Sequence, residues 1–335
     1  MPVYNGEKFL NEAIGSILNQ TYSYFEFIII NDGSTDRTED IILSYEDSRI
    51  RYVKNETNLQ IVKALNKGIS LAKGKYIARM DADDVSMPRR LEVQLEYMQA
   101  HTEITVCGSY LQVYGQPKHI WKPPLNNEAI KARLLFDCCL YHPTVIFKRD
   151  VLIANQGYSI SFAGAEDYEL WGRLSGISSV YFANIPEVLL HYRSDPNDMR
   201  LEYVSKQRKL SNFIQNSLLK KLDINPTEQD LVLHEHAVYR ELYLARDSDF
   251  KNYQGWLDRI FSANNKCNTY SSIYLKKELE YRWMSLCWES AIVTPVSVIN
   301  FIASHWSPNN MYSIYHAARM IWRSCKNKLK NINIL

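Results

Sequence analysis

The 335-residue sequence has no surplus of charge of either sign: 39 Lys and Arg stand against 37 Asp and Glu, for a net charge of +2. Nonspecific duplex binding needs a basic surface concentrated enough to neutralise several phosphates, so no nucleic-acid partner is expected. Glycine and proline are sparse, at 12 and 11 residues, which excludes a fibrous or low-complexity chain. The six cysteines, at 107, 138, 139, 267, 287 and 325, form no CxxC pair and have no histidine at ligand spacing. That argues against a zinc site or a thioredoxin-like motif and for reduced thiols in a cytoplasmic protein. The start carries no charged segment leading into an apolar one, so no secretory signal is expected. The most apolar late stretch, Ala291 to Trp306, is interrupted by Pro295, Asn300 and His305 and falls short of the ~20 residues of a spanning helix.

What the chain does have is an apolar share of 46 %, ample for a core, and a length that suits one large domain and a smaller one. Up to about Arg193, β-rich runs alternate with helical patterns, as expected of an α/β fold whose mostly parallel sheet is covered on both faces. Phe25 to Asn31 is apolar nearly throughout, the mark of a strand buried on both faces. Glu7 to Asn19, Thr35 to Glu46 and Ile61 to Ala72 have helical periodicity. Tyr76 to Met80 reads as another strand, and a further helix starts near Pro88. From about Met199 onward strand signals fade and helical runs with scattered tryptophans take over. The expected division is a domain of residues 1–198 and a helical region of residues 199–335, with Ser194 to Asp198 as the joint. The tryptophans of the second part are expected to pack in its core and interfaces.

The most telling string is Asp81-Ala82-Asp83-Asp84, just after a predicted strand. Carboxylates so close together repel unless a cation sits among them, and the carboxyl ends of parallel strands are where ligands bind in open α/β sheets. Hard oxygen donors suit Mg²⁺ or Mn²⁺. A solvated acidic turn is the alternative, and for an isolated string it would be preferred. Asn31-Asp32-Gly33-Ser34-Thr35-Asp36 follows the preceding core strand; part of it is turn and capping chemistry, but Asp32 also stands where a carboxylate can accept a nucleobase N–H. Glu166 and Asp167 open a short helix, where the macrodipole favours acids, and a carboxylate there can equally take a proton from an attacking hydroxyl.

Pro2-Val3-Tyr4-Asn5-Gly6, Asn31 to Asp36, Asn58 with Ala64 to Gly68, Ala72 to Tyr76, Asp81 to Asp84, His142-Pro143-Thr144 and Glu166-Asp167 stand in an order and spacing that resembles the family 2 inverting glycosyltransferases of the GT-A fold. The resemblance covers about the first 195 residues. It implies a Rossmann-like three-layer α/β/α sandwich and a UDP-sugar donor, with Pro2, Tyr4, Asn5, Asp32, Asn66 and Asp81 about the nucleotide-sugar. It further implies Asp83, with Asp81, as ligand of a Mn²⁺ or Mg²⁺ ion, Asp167 as general base and Glu166 beside it. Tyr192-Arg193 is similar to a late tyrosine-arginine element, placing Arg193 near the diphosphate. The activity so implied is inverting transfer of a hexose or N-acetylhexosamine to a hydroxyl of a glycan or lipid-linked glycan acceptor, in assembly of a bacterial cell-surface polysaccharide.

The chain departs from that pattern in three places. Met1 stands almost on the Pro-x-Tyr-Asn element, so a first core strand is expected to be missing, through a late start codon or a natural truncation. Gln60 stands where glycine is common, and Asp195 where a histidine often follows. The missing strand and Asp195 motivate a rival reading, a degenerate nucleotide-binding or assembly protein; a metal-dependent nucleotidyltransferase would share the acidic turn but does not predict Glu166-Asp167 at a helix start. His142 has a structural and an acceptor-facing reading. The basic, partly amphipathic stretch Arg319 to Lys330 reads as a solvated tail, or as a peripheral contact with the inner face of the cytoplasmic membrane.

Overall fold

The computed structural model describes residues 1–114, 119–193, 201–239, 246–290, 296–307 and 315–322. The chain forms two compact units, one of Met1–Ile130 with Cys138–Ser211 and another of Lys131–Asp137 with Asn212–Leu335. The expected joint at 194–198, with Asp195, lies outside the described residues.

The first unit opens with β1 (Pro2–Val3), α1 (Leu10–Leu18), β2 (Phe27–Asn31), α2 (Thr38–Leu43), β3 (Ile50–Lys54) and α3 (Ile61–Leu71). β4 (Tyr76–Ala78), β5 (Val85–Ser86), α4 (Arg90–Ala100), β6 (Val106–Tyr114), β7 (His119–Trp121) and α5 (Asn127–Leu134) follow. Then come β8 (Ile146–Lys148), α6 (Arg149–Ala154), α7 (Glu166–Leu174) and β9 (Phe182–Arg193), with α8 (Leu201–Lys220) beginning in this unit. The strands fall into two sheets. β1-β2-β3 is parallel throughout, with Pro2 opposite Ile30 and Phe27 opposite Ile50. The second sheet, β4-β8-β6-β9-β5 with β7 on β6, is mixed: β6 and β9 run parallel and its other pairs antiparallel. The parallel character expected for the whole is thus concentrated in the first sheet, where short helices return the chain to the same end; the antiparallel pairs arise where β8 reverses between β4 and β6, where β7 folds back on β6 and where β5 meets β9.

Burial follows the pattern of the residues. The β-branched run of β2 is apolar on both faces because helices cover it: Ile29 packs with Leu10, Ala13, Ile14 and Ile17 of α1, and Ile30, also buried, faces α3. α3 approaches β2 so closely that a Cβ on Gly68 would lie 3.2 Å from Ile30 Cδ1. Between β2 and β4 lies an apolar cavity of ≈ 420 Å³, lined by Ile28, Ile30, Leu65, Ile69, Ile77 and Leu95.

The second unit contains α9 (Glu228–Tyr239), α10 (Asp247–Cys267), α11 (Ser272–Ser290) and α12 (Val296–Ala303). Trp256, Trp283 and Trp306 are buried in it, as expected of packing residues, whereas Trp322 is exposed. The short excursion 131–137 belongs here because its polar groups are satisfied here. His234 Nε2 is 3.0 Å from Leu135 O, Gln215 Nε2 donates to Phe136 O at 2.8 Å, and Arg133 pairs with the buried Glu278 at 2.6 Å. Among the described residues no helix is long and apolar enough to cross a membrane. Most of the basic stretch ending at Lys330 lies outside the described residues.

Candidate active site

The loop after β1 is laced to the loop after β2. Asn5, at φ +51°, donates its backbone N–H to Ser34 Oγ and accepts from Thr35 N–H through Oδ1, both at 2.9 Å. Asp36 accepts the backbone N–H groups of Glu7 and Thr38 at 3.1 and 3.0 Å; burial is the largest single influence and raises its carboxyl, but these bonds, with that of the Thr38 hydroxyl, together outweigh it and hold the carboxyl below the usual range. Of the residues expected at the nucleotide, Pro2 is buried within β1 and Tyr4 is half exposed beyond it. Asp32 is buried at the end of β2, and its Oδ1 accepts both Asn55 Nδ2 at 2.7 Å and Leu59 N–H at 3.0 Å. Asn66 is engaged elsewhere: its Nδ2 donates to Tyr158 O at 2.8 Å and its Oδ1 accepts Tyr158 N–H at 2.9 Å, so it ties that segment to α3.

Asp81, Asp83 and Asp84 follow β4 and present carboxylate oxygens within 4.8 Å of one another. Their surroundings differ. Asp81 pairs with the buried Arg79, whose backbone carbonyl accepts Arg90 Nη2 at 2.7 Å. Asp83 is exposed on its outer side, yet loss of hydration, followed by the Asp81 charge, pushes its carboxyl up to about 6. Asp84 is wholly buried; burial and then Asp81 push it well above the ordinary carboxylate range. Its Oδ1 accepts Arg193 N–H at 2.8 Å, and its Oδ2 has no hydrogen-bond partner among the described residues. Three converging hard oxygens, one buried and unpartnered among the described residues, are a donor set that fits a small divalent cation. Arg90, at 1 % exposure, supplies positive charge behind them, and burial lowers its pKa to about 10.

Arg193 closes this side. Its Nε donates to Asp83 O at 2.9 Å, its Nη2 pairs with Glu12 at 2.5 Å, and its guanidinium lies over the rings of Phe9 and Tyr114 at 4.1 and 4.7 Å. The antiparallel pairing of β5 with β9 delivers it there.

Glu166 and Asp167 occupy the first turn of α7, where no side chain caps the helix. Glu166 Oε2 accepts Gly164 N–H at 2.7 Å; Asp167 Oδ1 accepts Tyr168 N–H at 2.7 Å, and its Oδ2 accepts the Cys138 thiol at 3.6 Å. Burial first, and the Glu166 charge second, push Asp167 up to about 6, a value suited to a general base near neutral pH. Behind it His142 is buried with Nε2 2.8 Å from the Tyr158 hydroxyl, and burial, then Arg79, keeps the imidazole neutral. This is the structural reading of His142. The buried Tyr158 phenol is raised by burial and feels Arg79, Asp167, Glu166 and Asp81 in that order, so both acidic groups act on one side chain. Arg79, the partner of Asp81, also acts on Asp167. Sequence reading passed over Arg79, Arg90, Cys138 and Tyr158, because a buried guanidinium or thiol leaves no short-range pattern. The one signal available was Arg79, two residues ahead of Asp81 in a segment otherwise apolar.

An α/β unit with an acidic turn after a strand and a carboxylate pair at a helix start fits a nucleotide-sugar transferase, and comparison with known proteins gives the family. The model of glycosyl transferase family 2 matches residues 1–153. An O-antigen biosynthesis glycosyltransferase, WbnJ, of Escherichia coli is 37 % identical over 201 residues, covering 58 % of this chain and 77 % of that one. A glycosyltransferase of Haemophilus influenzae is 36 % identical over 237 residues, covering 65 % and 69 % of the two chains. Among solved structures, Staphylococcus aureus TarS in complex with UDP-GlcNAc superposes with a TM-score of 0.56 at 16 % identity, over 87 % of this chain and 88 % of that one. The chain belongs to glycosyl transferase family 2 and is a glycosyltransferase with a GT-A catalytic fold.

Proposed function

We propose that this glycosyltransferase moves a hexose or N-acetylhexosamine from a UDP-sugar, with inversion, to a hydroxyl of a cell-surface glycan or lipid-linked glycan at the cytoplasmic face of the membrane. The observation that carries the reading is the acidic turn after β4: carboxylate oxygens of Asp81, Asp83 and Asp84 lie within 4.8 Å of one another, Asp84 Oδ2 is buried with no hydrogen-bond partner among the described residues, and Arg193 reaches Asp84 and Asp83 from β9 at 2.8 and 2.9 Å. UDP and UDP-GlcNAc accompany the TarS structures, and O-antigen biosynthesis is the named role of the WbnJ relative; both make these substrates the natural ones to test.

In this reading Asp32 receives a nucleobase N–H, its first oxygen being fixed by Asn55 and Leu59. Asp83 and Asp81, with Asp84 behind them, would hold Mn²⁺ or Mg²⁺, which when bound supplies Lewis-acid stabilisation of the diphosphate charge. Asp167 removes the proton of the acceptor hydroxyl as that oxygen bonds to the anomeric carbon. The carbon–oxygen bond to the diphosphate breaks on the opposite face, which inverts the centre, and the transition state has oxocarbenium character. Arg193, held over Phe9 and Tyr114, faces the negative charge of the departing group.

A panel of UDP-, dTDP- and GDP-sugars, scored for nucleotide release and for protection against thermal unfolding with and without Mn²⁺, tests the reading. UDP-sugars should protect, and more strongly with Mn²⁺; Asp83→Ala should abolish the metal-dependent part by calorimetry. Protection without any release would favour a non-catalytic binder, and unchanged UDP affinity in Asp83→Ala would remove the metal assignment.

A further inference from the structure

The start of α8 brings an aromatic side chain to the base. Tyr203 is 53 % exposed. Its edge packs at Gly164: a Cβ on that glycine would lie 3.8 Å from Tyr203 Cε2 and 3.9 Å from Leu210 Cδ1. Gly164 sits at φ +110°, a conformation that side chains rarely adopt, and its N–H is the one that Glu166 Oε2 accepts at 2.7 Å. One glycine therefore fixes two things at once, the carboxylate of Glu166 and the resting place of the Tyr203 ring. Through that glycine the Tyr203 ring is placed beside Glu166, next to Asp167 in the first turn of α7.

We propose that Tyr203 is an acceptor platform: the open face of its ring receives the apolar face of an acceptor pyranose, Glu166 binds a hydroxyl at the sugar's edge, and the reacting hydroxyl is turned toward Asp167. The chemistry matches what is present. A pyranose has one face of axial C–H groups that stacks on an aromatic ring and a rim of hydroxyls that donate to carboxylates, whereas a phosphate would call for flanking cations or backbone donors. Gly164 meets the ring at Cε2, and its φ of +110° favours its having no side chain there. The inference rests on the transferase reading, and it assigns the acceptor side to a helix that follows the family's motifs.

The test uses the full chain saturated with UDP and Mn²⁺ and a panel of methyl pyranosides of glucose, galactose, mannose and N-acetylglucosamine, observed by saturation-transfer NMR. At least one sugar should receive saturation on one ring face. Tyr203→Ala and the bulk-keeping Tyr203→Leu should weaken its binding about three- to tenfold, and Tyr203→Phe should keep it. Thermal unfolding and UDP affinity should be the same in all four proteins. Binding that persists in Tyr203→Leu, or a panel with no binder, overturns the platform while leaving the donor reading intact. Wild-type protein that fails to bind UDP would instead sink the transferase reading beneath it.

Discussion

Asp167 is held by neighbours that pull in opposite directions. Burial and Glu166 raise it to about 6, while the Tyr168 N–H, Arg79 and the Cys138 thiol stabilise its charged form. As a base it must be ionised, so turnover should rise with pH through a midpoint near 6 and level off above it. Removing the thiol donor in Cys138→Ala should move that midpoint upward with little change on the plateau; a midpoint that stays or falls would show that the 3.6 Å contact is idle. The same raised carboxyl has a cost in stability. A carboxylic acid whose folded pKa exceeds its unfolded 3.8 binds more protons in the folded chain, so stability is lost as pH rises through that interval. Asp167→Asn should therefore stop transfer yet raise the melting temperature at pH 8, by at most about 3 kcal/mol of stability, with the gain vanishing below pH 4. An equal or lower melting temperature at pH 8 would mean that the carboxylate is better solvated than its surroundings indicate.

At the scale of elements, the sequence departure at Gln60 has a local cause that the structure makes visible. Gln60 sits at φ +70°, ψ 160°, immediately before α3, in a region that glycine occupies freely and side chains do not. Its side chain is exposed, and its own N–H is taken by Asn58 Oδ1 at 2.8 Å, a bond that glycine would keep. Gln60→Gly should thus stabilise the fold: relief of strain of about 1–3 kcal/mol outweighs the chain entropy that glycine adds, about 0.5–1 kcal/mol. Denaturant midpoints decide it, and a fall on substitution would show the backbone relaxed. The neighbouring elements were legible for a plain reason. The apolar run ending at Asn31 and the periodic face of Ile61 to Ala72 are local patterns, and both formed, as Phe27–Asn31 and Ile61–Leu71. What local pattern could not show was the mixed second sheet. The reversal of β8 between β4 and β6 depends on pairings such as Ile77 with Phe147, made across some seventy residues.

For the whole molecule, the acidic strings of the site were readable because charge at a strand end is conspicuous, while the groups that set their chemistry were hidden by distance in the chain. Cys138 meets Asp167, and Asp84 meets the Arg193 backbone, only after the fold has closed. The return of Lys131–Asp137 to the second unit had no sign in the sequence, since it depends on partners such as His234. That histidine gives the second unit a distinct response to acid. It is buried, stacked on Phe136 at 4.8 Å, and burial, with Arg282 adding to it, depresses its pKa to about 4 against 6.5 in an unfolded chain. The unfolded chain takes up the proton first, so stability is present above pH 6.5 and is lost as pH falls toward 4, by about 3 kcal/mol from this residue. Glu278, whose carboxyl is lowered overall by Arg282 and Arg133 despite its burial, adds to the loss at still lower pH. In the first unit Asp83, Asp84 and Asp167 have raised pKa values and offset the acid sensitivity of His142. The second unit should therefore be the first to unfold between pH 6 and 4. Five of the seven tryptophans lie in it, namely Trp256, Trp283, Trp288, Trp306 and Trp322, so intrinsic fluorescence reports on it directly. In His234→Gln, urea midpoints followed by fluorescence should start lower at pH 7.5 but decline less steeply toward pH 4 than in the wild type. Parallel declines would show that the acid response originates elsewhere than at the His234 imidazole.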